Sequence, residues 1–405
     1  MDFSSQIISL LLHFVLIVPL VCPINSSRIS KHQLFNKTSR SDEEFHKMKK
    51  MIATRLQEIN KPASPDGDIV DCVLTHKQPA FDHPLLKGQK PLDPPEKPSG
   101  HNQKGNYSDI PQLWRLSGES CPEGTIPIRR ITEQDLLRAD SISHFGRKYI
   151  DRDNYELSIG SVQGDGYTGA SAILNVWRPK VEKDEFSAAK ISIASQKSGD
   201  IIEAGWHLSS SGVFPNLYGD DFPRLFTYWT SDLERQSGCF NLKCVGFVQT
   251  SKKNLLGGRL GPVSTYNGKQ YDFPLIIWKD PNSGNWWLEY GSGNFLGYWP
   301  ATLFTELKGE AYIVEFGGEV LNLKRTGSHT TTQMGSGHFE FNSINKVAFI
   351  RNMQVSVTEQ NVYIDLPDPD WAADKPECYP LRPWYNKDWG NYMHYGGPGK
   401  SEKCP

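Results

Sequence analysis

Beyond about residue 150 the sequence holds no helical period longer than two or three turns. Short runs rich in β-branched and aromatic residues alternate instead with turn signals. Runs of this kind fall at 170–177, 224–229, 246–250, 275–279, 285–290, 338–341 and 347–357. Turns fall at Asn267-Gly268, Pro281-Asn282-Ser283-Gly284 and Gly317-Gly318. Ten of the eleven tryptophans lie in this region, so the apolar mass needed for a core is there too. About 250 residues of this texture predict one all-β domain, a sandwich or a jelly roll.

Two of its strands share an unusual design. In 201–208, Ile202, Ala204, Trp206 and Leu208 point one way, and Ile201, Glu203, Gly205 and His207 the other. In 312–320, Tyr312, Val314, Phe316 and Val320 share a face opposite Glu315, Gly317 and Glu319. A carboxylate in mid-strand faces water, a partner or a groove. The glycine beside each leaves room for another backbone to approach. On pattern alone two solvated strand faces are the usual reading; the same design is also what a two-carboxylate site would need.

The N-terminal part reads differently. Residues 7–21 are an apolar run broken by Ser9 and His13, too short for a comfortable membrane span and placed where a secretory signal belongs. Residues 1–24 are therefore expected to be a signal peptide, and the product to be secreted, with no membrane attachment once the signal is removed. Removing Cys22 leaves six cysteines, which permit fifteen pairings. Proximity suggests Cys72 with Cys121, Cys239 with Cys244 and Cys378 with Cys404. An oxidising compartment favours these bonds over a metal site or a free thiol. Asn36 and Asn106 sit in glycosylation acceptor triplets. A net charge of −2 and a pI near 6.6 give no reason to expect a nucleic-acid partner.

A helix is expected over 41–60, capped at Ser41, and another over 132–140, capped at Thr132. Short strands are expected at 69–73 and 125–130, and an exposed proline-rich linker at 88–105. These elements make residues 25–150 a smaller mixed α/β segment ahead of a β domain at 151–405.

The sequence has no nucleophile elbow, no phosphate-binding loop and no His-Glu-x-x-His. Ser336 and His338 form poor triad geometry, and His329 and His338 are too few for a metal. Trp286-Trp287 and Tyr298-Trp299-Pro300 suit core and cleft walls, where they would stack on a sugar or a proline ring.

A set of longer motifs is more specific. They are Ile202-Glu203-Ala204-Gly205-Trp206, Gly238-Cys239-Phe240-Asn241-Leu242-Lys243-Cys244, Ile277-Trp278-Lys279-Asp280-Pro281, Gly317-Gly318-Glu319-Val320 and Thr332-Gln333-Met334-Gly335-Ser336-Gly337-His338. Together they resemble the plant neprosin family. Upstream, Gly67-Asp68-Ile69-Val70-Asp71-Cys72 and Cys121-Pro122-Glu123-Gly124-Thr125 resemble that family's activation peptide. The resemblance implies a two-sheet antiparallel β-sandwich preceded by a propeptide. It also implies a secreted glutamic endopeptidase that cuts after proline in acid, with Glu203 and Glu319 catalytic and no metal or cofactor. The groove between them is expected to be lined by Trp206, Tyr228, Trp299, Gly205 and Gly317. The expected partners are a proline-containing polypeptide and the chain's own propeptide. Residues 209–214 are longer than the family pattern, and Glu315 stands where a neutral residue is expected. Two other functions suit the same features: hydrolysis or binding of a carbohydrate, and a silent binding protein.

Overall fold

The computed structural model describes residues 64–405 apart from 65, 102–105, 108–109, 117, 133–134, 136–145, 149–151, 210–217, 219, 233–236, 325–326, 342 and 359–361. The expected signal peptide, the helix over 41–60, Asn36 and most of the helix over 132–140 lie outside the described residues. So does most of the long connection after Trp206. At the expected cap of the second helix, Thr132 and Asp135 bond reciprocally: the Asp135 N–H donates to Thr132 Oγ1, and the Thr132 N–H donates to the Asp135 carboxylate.

Two short strands, β1 (Val70–Leu74) and β2 (Thr125–Arg129), pair antiparallel in the N-terminal segment. The next strands are β3 (Tyr155–Asn175), β4 (Phe186–Ala194), β5 (Asp200–Ser209), β6 (Arg224–Ser231), β7 (Cys239–Phe240), β8 (Val248–Gln249) and β9 (Asp272–Lys279). They are followed by β10 (Trp286–Tyr290), β11 (Phe295–Trp299), β12 (Ala311–Leu321), β13 (Met334–Gly335) and β14 (Ala348–Val357). The last four are β15 (Val362–Asp365), β16 (Asp370–Ala373), β17 (Leu381–Asn386) and β18 (Gly390–Gly397).

Strand β3 joins the two layers. Its first part pairs with β12 on one edge and β16 on the other, and its last part with β9 and β14. One layer therefore runs β7-β6-β5-β4-β12-β3-β16, and the other β8-β11-β10-β9-β3-β14, extended by β15, β18 and β17. The change of layer falls where Gly164 and Gly166 take positive φ (149° and 96°) and the register against β12 slips. A glycine bulge is the cheapest way to bend a long strand. The result is an antiparallel β-sandwich, as expected. The apolar faces of both layers meet in one core, where Trp206, Trp278, Trp286, Trp287 and Trp299 are fully buried. The Trp206 indole N–H reaches across the layers to the Asn175 carbonyl, at 2.9 Å. The three disulfides pair as expected: Cys72–Cys121, Cys239–Cys244 and Cys378–Cys404. The first lies wholly within the N-terminal segment and the other two within the sandwich.

The N-terminal segment docks on the sandwich by three means. Gln78 and Gln112 act as pieces of strand. The Gln78 amide donates to the Gln249 carbonyl and accepts from the Gln249 N–H, and Gln112 does the same to Leu255. Both supply backbone groups with partners that burial would otherwise deny them. Phe81, Leu86, Ile110 and Ile126 enter the shared core. Asp68 makes a buried ion pair with Arg224 of β6 at 2.7 Å and another with Arg129 at 2.9 Å. Burial would raise the Asp68 carboxyl, but Arg224 and Arg129 outweigh it and hold it below its usual range. Removing one partner of a buried pair costs about 3–5 kcal/mol. Asp68→Asn should therefore lower the stability of the full chain by that order, read as a urea midpoint. A depressed carboxyl contributes above its ordinary pKa of 3.8, and the contribution fades only as pH falls through the lower folded value. The penalty should consequently be nearly as large at pH 4.5 as at pH 7.

Candidate active site

Strands β5, β4 and β12 are adjacent, and their register arranges the face turned away from the core in three rows. In the first row Glu203 lies opposite Ser192, and Ser192 opposite Glu315. In the second Gly205 lies opposite Lys190, and Lys190 opposite Gly317. In the third His207 lies opposite Ala188, and Ala188 opposite Glu319. The two sequence-predicted glutamates thus sit one row to either side of Lys190, on its two neighbouring strands. Gly205 and Gly317 flank that lysine because nothing larger fits. A Cβ on Gly205 would stand 2.0 Å from the Ala189 carbonyl oxygen, and one on Gly317 2.3 Å from that of Ser158.

The glutamates are not solvated. Glu203 is 3% exposed and Glu319 2%, which removes the reading of two water-facing strands. Lys190 Nζ donates to Glu203 Oε1 at 2.6 Å and also to Glu319 Oε2. A second ammonium closes the ring from the N-terminal side. Lys148 Nζ lies 3.3 Å from Glu203 Oε2 and 2.7 Å from Glu319 Oε1, the latter an ion pair rather than an aligned hydrogen bond. It also stands over the Tyr155 and Tyr228 rings, at 4.9 Å and 5.6 Å. Two carboxylates and two ammoniums make a neutral, buried set.

Burial alone would raise the Glu319 carboxyl, but the Lys148 and Lys190 ammoniums outweigh it and leave it below its ordinary value. Burial likewise opposes charge on Lys190, and the two carboxylates more than reverse this, so its pKa rises. In the same row as Glu319 but two strands away, His207 stacks on Phe226 at 4.9 Å. Burial pushes the His207 pKa down to about 3, so it is neutral where the glutamates work.

Lys148 is aimed by its neighbour. The Gly146 carbonyl accepts the Phe240 N–H of edge strand β7 at 2.7 Å. Gly146 has φ +77°, and a Cβ there would stand 2.8 Å from the Lys243 Cβ. The residue must therefore be glycine, and the Cys239–Cys244 turn that contains Lys243 serves as the seat for the segment.

The open part of the site is a cleft of about 410 Å³, lined by Lys148, Lys190, Ser192, Glu203, Glu315 and Glu319 among others. Of the residues expected along the groove, Tyr228 sits directly across from Glu203 but is buried, and the two glycines flank Lys190; none of the three lines the open cleft. Trp206 and Trp299 do not belong to it. Both are fully buried in the core, Trp206 because its position in the alternation puts it on the opposite face from Glu203 and Trp299 because its ring packs on Phe247. Residues 79–84 of the N-terminal segment do not line the cleft: Pro79, Ala80 and Phe81 are buried, and the His83 imidazole accepts the Leu85 N–H. Sequence reasoning missed Lys190 and Lys148. A lone lysine amid the apolar run of β4 was a readable sign of the first; no local pattern marks the second. Among the described residues one cluster has metal-ligand types, His329 with Cys378 and Cys404, and its cysteines are joined to each other.

The fold and the site together define an all-β sandwich with a buried pair of glutamates and a separately docked N-terminal segment that reaches into it. The sequence model of the neprosin family matches residues 183–398, more than half of the chain, and that of the neprosin activation peptide matches residues 61–170. The chain belongs to the neprosin family, which places it among peptidases made with an activation peptide. Among solved structures it is similar to scytalido-glutamic peptidase with a peptide-based transition-state analogue, at 11% identity and a TM-score of 0.30. It is also similar to SCP-B, an eqolisin-family peptidase in complex with the tripeptide Ala-Ile-His, at 10% identity and a TM-score of 0.29. Each match covers 60% of this chain and 98% of the other.

Proposed function

We propose that the chain is the zymogen of a secreted, acid-acting glutamic endopeptidase that cuts on the C-terminal side of proline. The observation that carries this reading is the convergence of Glu203 and Glu319 on one lysine in a buried cleft. Amide hydrolysis needs a base and an acid in reach of one carbonyl. One glutamate, ionised, takes a proton from water as the water oxygen attacks the carbonyl carbon. The other, protonated, hydrogen-bonds the carbonyl oxygen and then gives its proton to the leaving nitrogen as the C–N bond breaks. The products are a carboxylic acid and an amine, and the proton left on the first glutamate passes back to the second. No metal or cofactor enters these steps. Tyr228, across from Glu203 and buried beneath Lys148, offers an aromatic wall for a proline ring once that lysine has left.

Lys148 supports the zymogen reading. With both ammoniums in place the two carboxylates face two cations, and the Glu319 carboxyl in particular is held towards its ionised form, without the proton an acid must donate. The N-terminal segment therefore silences the pair through one side chain. Strand β3 begins at Tyr155 and is an interior strand of both layers, so the cut that frees the enzyme belongs between Lys148 and Tyr155, near the 150/151 boundary. Export through a secretory signal, glycosylation at Asn36 and Asn106 and the absence of a membrane anchor in the mature product belong to the same proposal. A paired screen tests the substrate class. Purified full-length protein at pH 3 to 5 is offered proline-containing peptides and, in parallel, polysaccharides. Peptide cleavage with intact glycans is expected; released sugars with intact peptides would point to a glycosidase instead.

A further inference from the structure

After Lys148 departs, one cation stays behind. Lys190 belongs to β4 in the centre of the sheet, is held between Gly205 and Gly317, and touches both glutamates. Two carboxylates and one ammonium carry a net charge of −1 in a buried place. One proton on the pair makes the set neutral, and that singly protonated pair is the acid–base couple the reaction needs. We propose that Lys190 is the positioning residue of the site, bridging the two glutamates and making their one-proton state the neutral one. The inference rests on the glutamic-peptidase reading above and adds what sets its proton count.

Other charged groups around the pair do not take over this role. Lys148 leaves with the segment. On β5, His207 is neutral, with its pKa near 3. The Asp200 carboxylate at the start of β5 accepts the N–H groups of Thr305, Glu306 and Leu307. On β12, Glu315 lies one row beyond Gly317, opposite Ser192, and adds negative charge. Asp374, beyond β16, accepts the Leu157 N–H. Tyr155 on β3 and Tyr228 on β6 are uncharged in acid. Lys190 is thus the cation in contact with both glutamates that the sheet itself supplies.

A nearby opposite charge lowers a carboxyl by about 1–3 pK units. Lys190 should hold down both macroscopic pKa values of the pair, and so both limbs of the bell-shaped profile of kcat/KM against pH. The experiment measures that profile for the processed wild type, Lys190→Met and Lys190→Arg, with Glu203→Gln and Glu319→Gln alongside. In Lys190→Met both limbs should move about 1–3 units towards higher pH. In Lys190→Arg, which keeps the charge and changes the geometry, the limbs should stay within about half a unit while kcat falls. If Lys190→Met lowers activity with its limbs unmoved, or Lys190→Arg shifts them as far as the Met variant does, the proposal is wrong. Should Lys190→Met fail to fold, Lys190→Arg decides alone: limbs in place support the assignment and displaced limbs overturn it. Substantial activity in either glutamine variant would instead overturn the reading of the glutamates, so the two failures are distinguishable.

Discussion

Replacing Glu203 or Glu319 by glutamine should lower kcat/KM for peptide cleavage about 10²–10⁴-fold, the range over which a positioned acid or base contributes. Glutamine keeps the size of the side chain and an oxygen for Lys190, so the sheet should fold. It neither takes nor gives the proton. Each variant should also remain full length at about pH 4, near the reference carboxyl pKa, where the wild type converts to a smaller form holding the sandwich. Glu315 offers the control. It shares their face but sits opposite Ser192, one row beyond Gly317. Glu315→Gln should leave cleavage measurable, because its place in the register is outside the row that holds Lys190.

The second large effect belongs to Lys148. Lys148→Met removes one of the two ammoniums, and the Glu319 carboxyl is freed to rise. The pH at which the full-length chain converts should move up by about 1–3 units, the span an adjacent opposite charge accounts for. The sign follows from linkage. In the wild type the depressed Glu319 contributes stability above its ordinary value of 4.5, and the contribution is lost as pH falls through its folded value. Acid therefore weakens the hold on Lys148 by protonating its partners. Two buried carboxylates near the docked segment do not respond at that pH, whereas His101, hydrogen-bonded to Ser171 of β3, is pushed down to about 4 by burial and does. Asp135 and Asp220 are each held to about 2, burial being outweighed by Lys243 and Arg129 for the first and by Arg224 for the second. Acid should therefore act on the glutamates and on His101 rather than on the buried ion pairs that dock the segment. A Lys148→Met chain that converted at the wild-type pH would show that this ammonium does not restrain the pair.

Much of the architecture was readable because period-2 alternation records which face of a strand is buried. It marked 170–177, 224–229, 275–279, 285–290 and 347–357, each of which lies largely or wholly within a strand of the sandwich. It also separated Trp206 from Glu203. It failed where both faces are covered or where glycine carries the bend. The first half of β3 is rich in glycine because it changes layers, and a strand without side chains to pack shows no alternation. Strand β4 is buried on both faces and mixes Ser187, Lys190 and Ser192 with small and apolar residues, so it gave no strand signal of the expected kind. The run 338–341 was read as a strand from its aromatics, yet no strand forms there. In the site, the glutamates were legible because each stands beside a glycine on an alternating strand. The lysines were not, because what matters about them is register across β4, β5 and β12 and the approach of a segment some fifty residues from Glu203 in sequence. No local pattern encodes either.

The claim that two glutamates turn a sandwich cleft into an endopeptidase cutting after proline is tested most directly by mapping new chain ends. Processed protein is incubated at pH 4 with a mixture of defined peptides, half of them containing proline, and every new C-terminus is read by mass spectrometry. The account predicts that the new C-termini are prolines, and that Glu203→Gln and Glu319→Gln produce none at the same enzyme concentration. New termini at other residues in comparable number, or cleavage by either glutamine variant within tenfold of the wild type, would contradict it.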